Sequence, residues 1–474
     1  MLEEMMRHYL PNGIQTGILC LQTSTLRLGI LGLLKWVSGA LSIPSLILAG
    51  MPVYVSQHEA RALDQLEITG LLVALLPPVI FVVSYIWERR WQKSIMRRFQ
   101  SNAILSGGPG ELLRKSIVPG PHGRIDIYGA TFAWTSPDIN HWLVQSSLNQ
   151  NSLPVELGSG FLAYSEQHTS ERIRKLKEYA IAAKLQAGAR IFNDNKIRLA
   201  SNFEIAPIEK VTIEKTDYVS SLMTDQMAFQ RILDQNTGEV LSDGQSSFLD
   251  VARNRRTLKP LGMTQTSNQI GVSTIAFTTD GAIPLVVQTH RNAQSGGTLA
   301  PSGSGSLDWD DATKVLAAND LWEIVKFGAA RELLEETGIS DKLDAHEFAK
   351  NNIRIYGFAR MIHRAGKPEF FCVATIPFTL REINQMGVSR AERHFTNRTQ
   401  TNDGRPLDKT IDPAKEISRV CKFYSDKSNI EIIINSPIQL SYPLSHGLDL
   451  LSEAVMFDGV GDQLATFVAA NLKG

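Results

Sequence analysis

The segment NDLWEIVKFGAARELLEETGIS, residues 319–340, carries the clearest structural signal in the C-terminal part of this chain. Its uninterrupted helical pattern predicts one long α-helix. On that helix Glu332 shares a face with Glu335 and Glu336, because residues three and four positions apart are neighbours. Gly338 is predicted to end the helix, since glycine readily takes the left-handed conformation of a C-terminal cap.

Three carboxylates on one helix face repel one another, so a sequence that keeps them together usually offers them a cation. Hard divalent ions such as Mg²⁺ bind carboxylates together with substrate phosphates, so this face is either a metal-dependent phosphate site or a solvated acidic helix face. Glu323 precedes Arg331 by two helical turns and therefore projects near the same side. We expect Glu323 to hold the Arg331 guanidinium in a bidentate ion pair.

The same residues resemble the Nudix box, whose pattern is G-x5-E-x7-R-E-U-x-E-E-x-G-U with U apolar. The resemblance places the box at residues 317–339 and implies a C-terminal domain, residues 263–474, with an α/β/α fold and a mixed sheet. Ala317 departs from the pattern, because the box begins with glycine, and the preceding loop is longer than usual. The matching residues are Glu323, Arg331, Glu332, Leu333, Glu335, Glu336, Gly338 and Ile339.

The Nudix resemblance also implies a reaction, the hydrolysis of a nucleoside diphosphate linked to another moiety. Glu332, Glu335 and Glu336 would then be ligands of Mg²⁺ or Mn²⁺ and the catalytic carboxylates, with one of them assisting as a base. Arg331 and Glu323 would brace the helix. Metal ions that bridge phosphate oxygens neutralise charge and activate water for attack at phosphorus.

The segments around the box supply further candidates. The run from Gly271 to Arg291 alternates apolar residues around Asp280-Gly281 and predicts a β-hairpin. Strands are also predicted after the box, in IRIYGFARMIH and PEFFCVATIPF, where Glu369 is either a further acid of the site or an ion-paired strand residue. A Gly/Ser-rich loop before the box could wrap phosphates with its backbone N–H groups, through Ser302, Gly303, Ser304 and Gly305.

Residues 124–262 predict a mixed α/β spacer domain. This segment contains three strand-like runs, RIDIYGATFAW, KIRLASNFEI and KVTIEKTDYV, and the run between the first two, SERIRKLKEYAIAAKLQAG, has helical spacing. No residue pattern in this segment carries a chemical signature.

Two apolar runs near the N-terminus predict a two-helix transmembrane hairpin over residues 28–87. The runs are 28–55, with Lys35 as its only charge, and 68–87, with no charge. About 20 apolar residues suffice to cross a bilayer, and two such runs joined by a short polar link favour a hairpin over buried core helices.

The flanks of the hairpin predict its orientation. The basic segment 88–123 follows the second run directly, whereas the link between the runs carries only Arg61 among Lys and Arg. Basic residues concentrate on the cytoplasmic side. The sequence therefore predicts a multi-pass protein of the inner membrane, with a cytoplasmic N-terminal segment, residues 1–27, and a cytoplasmic C-terminus.

The overall composition excludes several classes of protein. The chain has 474 residues, with 48 Lys and Arg against 48 Asp and Glu, and 43% of its residues are hydrophobic. It is therefore neither wholly disordered nor collagen-like, and its net charge gives no global reason to bind nucleic acid. Its three cysteines cannot build a disulfide framework, which favours a reducing compartment.

Two functions remain open. The predicted order of spans, basic segment, spacer and Nudix-like domain resembles the membrane effectors of bacterial anti-phage systems that signal through cyclic oligonucleotides (CBASS). That resemblance implies a nucleotide second messenger as ligand, a homo-oligomer on activation, and cell death through disruption of the lipid bilayer. We expect this function. The alternative is a membrane-anchored, Mg²⁺-dependent Nudix pyrophosphohydrolase of a nucleoside diphosphate derivative.

Overall fold

The computed structural model describes residues 65–103, 117–119, 122–128, 131–149, 151–159, 170–187, 191, 193–252, 255–288, 297–315, 319–386, 396–398, 407, 411–434 and 439–472. The helices are α1 (Gln65–Arg98), α2 (Pro137–Leu148), α3 (Glu171–Gln186), α4 (Tyr218–Met223), α5 (Trp309–Val315), α6 (Leu321–Thr337), α7 (Ala345–Asn352), α8 (Leu380–Gln385), α9 (Pro413–Ser425), α10 (Lys427–Ile434), α11 (Tyr442–Ala454) and α12 (Gly461–Ala469).

The strands are β1 (Phe99–Ala103), β2 (Ile117–Val118), β3 (Arg124–Tyr128), β4 (Thr131–Thr135), β5 (Val155–Leu157), β6 (Asn195–Leu199), β7 (Val211–Asp217), β8 (Gln230–Asp234), β9 (Val240–Asp243), β10 (Leu249–Ala252), β11 (Arg255–Leu258), β12 (Gly271–Phe277), β13 (Val286–Gln288), β14 (Thr298–Ala300), β15 (Gly303–Ser306), β16 (Ile353–Met361), β17 (Lys367–Thr375), β18 (Thr396–Arg398) and β19 (Gln439–Leu440).

Among the described residues these strands form five sheets, and the largest has six strands in the order β15-β12-β17-β16-β4-β3. Strand β12 runs parallel to β17 and antiparallel to β15, and β16 runs antiparallel to both β17 and β4. The sheet is therefore mixed. The smaller sheets are β1-β8-β9, β10-β11-β2, β18-β13-β14-β19 and β5-β7-β6.

The central strands contribute side chains to two hydrophobic cores, because successive side chains of a strand point to opposite faces of the sheet. Val272 of β12 lies in a core that includes Leu333 of α6. Ile275, three residues later, lies in a second core that includes Leu448 of α11. Helix α6 therefore lies over one face of the six-stranded sheet and α11 over the other.

The chain divides into two compact units. One comprises residues 1–100, 165–193 and 232–241, and the other comprises residues 101–164, 194–231 and 242–474. In the first unit α1 packs against α3, and Arg98 at the end of α1 binds the buried Asp234 with Nη2 at 2.9 Å. Lys175 of α3 reaches the same carboxylate at 3.2 Å. The second unit holds the six-stranded sheet and α6.

The predicted transmembrane hairpin is wrong. The second apolar run lies inside α1, one helix of 34 residues that continues through the basic stretch to Arg98. None of the helices in the described part of the chain is both long and apolar enough to span a bilayer. The predicted fold class fails in this element, and the predicted multi-pass location in the inner membrane is contradicted with it. The first apolar run, residues 28–55, lies outside the described residues.

The described chain is instead a mixed α/β protein with several small sheets. The predicted boundary between a spacer, 124–262, and a C-terminal domain, 263–474, does not separate the sheets. Strands β3 and β4, at the start of the predicted spacer, extend the six-stranded sheet through the pairing of β4 with β16. The compact units accordingly divide the chain at other positions.

The predicted hairpin around Asp280-Gly281 is also wrong. Strand β12 pairs with β15 on one edge and β17 on the other, whereas β13 pairs with β14 and β18. A turn does form, because Thr278 N donates to Ala282 O at 3.0 Å and Gly281 has φ +76°. The strands then separate into different sheets, since both edges of β12 are already occupied.

Candidate functional site

Helix α6 begins and ends with defined caps. The Asp320 carboxylate accepts hydrogen bonds from Trp322 N at 3.1 Å and from Leu153 N at 2.9 Å. At the other end Gly338 has the left-handed conformation, with φ 72° and ψ 24°. The long helix and its glycine cap, both predicted from the sequence, are confirmed.

Strand β15 passes very close to the last turns of α6. A Cβ built on Gly303 would lie 2.5 Å from Leu333 Cα, and one built on Gly305 would lie 2.1 Å from Glu332 Oε1. Ordinary carbon contacts are about 3.5–4.0 Å, so a Cβ at Gly303 would meet the backbone of α6, and one at Gly305 would displace the Glu332 side chain. The glycines of the Gly/Ser-rich segment therefore let the backbone of β15 approach the box helix.

The Arg331 guanidinium lies among four carboxylates. Its Nε and Nη2 each donate to one oxygen of Asp311 at 2.9 Å. Nη1 donates to Glu332 Oε1 at 3.0 Å and lies 3.6 Å from Glu335 Oε2. Nη2 is also 3.4 Å from Asp308 Oδ2. The box arginine thus joins two box glutamates to two aspartates that precede α6.

Charge pairing at this cluster extends beyond α6. Lys196 of β6 forms an ion pair with Asp308. Burial lowers the pKa of the Arg331 guanidinium, but the carboxylates of Glu332, Asp311 and Asp308 outweigh it and hold that pKa well above its ordinary value. Arg331 is therefore a fixed positive charge at the centre of an acidic cluster.

Glu336 points to a different partner from its two neighbours. It is 3% exposed, and its Oε2 accepts a hydrogen bond from Ser304 N at 2.9 Å. The backbone N–H of Ser304 therefore satisfies an acceptor of this buried carboxylate. Of the three predicted metal ligands, the structure brings Glu332 and Glu335 together at Arg331 and joins Glu336 to strand β15.

The predicted phosphate loop is a β-strand. Residues Gly303, Ser304 and Gly305 pair with Thr274, Ser273 and Val272 of β12 in an antiparallel register. Ser302 is buried, and its Oγ accepts a hydrogen bond from Ala276 N at 3.0 Å. These residues hold β15 in place between β12 and α6, whereas their composition predicts a loop that wraps phosphates with its backbone N–H groups.

Contrary to the prediction, the Glu323 carboxylate does not contact Arg331. Its carboxylate lies 3.3 Å from Lys326 Nζ, one turn along the same helix, and 29% of its side chain is exposed. The bidentate partner of Arg331 is Asp311 instead. The first residue of the predicted box, Ala317, lies outside the described residues.

Glu369 was predicted to be either a further acid of the site or an ion-paired strand residue, and the structure confirms the ion-paired strand residue. Its Oε2 accepts from Lys367 Nζ at 2.8 Å, and its Oε1 accepts from Ser273 Oγ at 2.7 Å. Glu369 of β17 is paired with Gly271 of β12. The next pair along the two strands, Val272 and Phe370, lies in the core on the α6 side. Its side chain therefore points to the opposite face of the sheet from α6.

Asp308 and Asp311 are the functional candidates that the box pattern missed. They lie in the acidic run LDWDDATK, residues 307–314, ahead of the predicted box. The clustering of aspartates in this run was the sequence signal for them. The 20 residues between Asp311 and Arg331, however, match neither helical nor strand periodicity. Only the packing of α5 beside α6 brings them together.

Carboxylate oxygens are the ligands that hard divalent cations prefer, so the donor set around Arg331 fits Mg²⁺ or Mn²⁺ in its chemistry. In the described ranges, however, no group of three or more His, Cys, Asp or Glu side chains is arranged so that it could hold a metal ion. Arg331 lies between Glu332, Glu335 and Asp311 in this arrangement. No protein-family model matches the chain, and no curated protein is significantly similar to it.

Proposed function

We propose that the C-terminal end of α6 is a Nudix-type site that binds Mg²⁺ or Mn²⁺ and hydrolyses a nucleoside diphosphate derivative. The observation that carries the proposal is the convergence of Glu332, Glu335, Asp308 and Asp311 on one guanidinium beside strand β15. Each carboxylate offers about four lone-pair positions, so contact with a guanidinium does not exhaust its capacity to bind a cation.

Within this proposal the residues have separate tasks. Glu332 and Glu335 would hold the cation, because both lie next to each other at the end of α6 and 30% of the Glu335 side chain is exposed. Glu336 would hold β15 against the helix through Ser304 N. The bound cation would neutralise phosphate charge and lower the pKa of an attacking water. Arg331 would keep the two glutamates in place against their mutual repulsion.

A second candidate is a sensor that binds a nucleotide second messenger, such as a cyclic oligonucleotide, with little turnover. The hydrogen bond from Ser304 N to Glu336 favours the sensor over the hydrolase, because this carboxylate is buried and already accepts a hydrogen bond from the protein. The membrane-disrupting output expected from the sequence forms no part of this proposal.

The test uses the full-length protein with Mg²⁺ or Mn²⁺ and a panel of nucleoside diphosphate derivatives and cyclic oligonucleotides, with binding and products both recorded. Hydrolysis that is lost in Glu335→Gln and kept in Glu347→Gln would support the hydrolase. Glu347 is the matched control because it is an exposed glutamate on the next helix, α7. Tight binding of a cyclic oligonucleotide without products would favour the sensor, and neither binding nor turnover would refute both.

A further inference from the structure

We draw no further inference here: the strongest candidate, the exposed apolar surface of α1 from Leu75 to Trp87, carries nothing because nothing in the described part of the structure shows what covers it.

Discussion

Replacing Gly303 by alanine is expected to destabilise the protein, because the new Cβ would lie 2.5 Å from Leu333 Cα, a backbone atom of α6. That is about 1 Å inside ordinary van der Waals contact, and overpacking of this kind costs ~1–3 kcal/mol. The loss of glycine flexibility in the unfolded chain returns about 0.4–1 kcal/mol. The net cost is therefore roughly 0–2.6 kcal/mol, which lowers the melting temperature by up to about 4 °C in a compact unit of this size.

Gly305→Ala is the matched comparison, two residues along the same strand. Its Cβ would lie 2.1 Å from Glu332 Oε1, the end of a flexible side chain that can move away. We expect a change in melting temperature below about 2 °C, together with weaker Mn²⁺ binding, because Glu332 leaves its place beside Arg331. Thermal unfolding and Mn²⁺ titration of both variants check this pair. Equal thermal losses in the two variants, or unchanged Mn²⁺ binding in Gly305→Ala, would refute the reasoning.

Three further changes test other parts of the structure. Asn140→Ala should cost about 1–3 kcal/mol in urea unfolding, because the buried Phe358 N–H, now 2.8 Å from Asn140 Oδ1, loses its acceptor. Burial lowers the pKa of His446 to about 4, so stability present above the unfolded pKa of about 6.5 is lost as the pH falls toward 4. His446 contributes about 2 kcal/mol of this loss between pH 7 and 5. His446→Gln should remove that part, while the part from His363, whose pKa burial also lowers to about 4, should remain. The pKa of Asp234 is lowered to about 2, chiefly by the hydrogen bond from Arg98. The stability that this carboxylate contributes is therefore present above pH ~4 and is lost as the pH falls toward 2. Asp234→Asn should lower the melting temperature at pH 7 and remove that acid dependence.

The elements near the proposed site could be predicted from the sequence because their signals are local. The apolar spacing and Gly338 define α6 and its end, and the capped helix forms as expected. The helical run in the predicted spacer forms α3, and the strand-like runs form β6, β7, β16 and β17. Local periodicity determines such elements without reference to the rest of the chain.

The partners of these elements could not be predicted in the same way. The alternation around Asp280 identified β12 but not its neighbours, which lie at residues 303–306 and 367–375. Any strand with two buried faces can pair on either edge, and the choice depends on packing across the whole sheet. The apolar run 68–87 met the length expected of a span, yet hydropathy alone did not show that α1 continues to Arg98.

The site shows the same limit at the level of single residues. The box pattern located Arg331 and its glutamates, because their spacing on one helix fixes which side chains are neighbours. It assigned the arginine to Glu323, whereas the bidentate partner is Asp311 on a different helix. A partner supplied by another element depends on how the helices pack, which spacing along one helix does not determine.

The most direct test of the proposed metal site is the Mn²⁺ electron paramagnetic resonance signal of the full-length protein, compared with that of Glu332→Gln and Glu335→Gln. We expect the wild type to quench the signal of aqueous Mn²⁺ by binding it, and each variant to leave most of that signal in place. Glu347→Gln, on the exposed side of α7, should bind as the wild type does. A wild type that leaves the aqueous signal unchanged, or variants that bind as well as the wild type, would contradict a cation site at the end of α6.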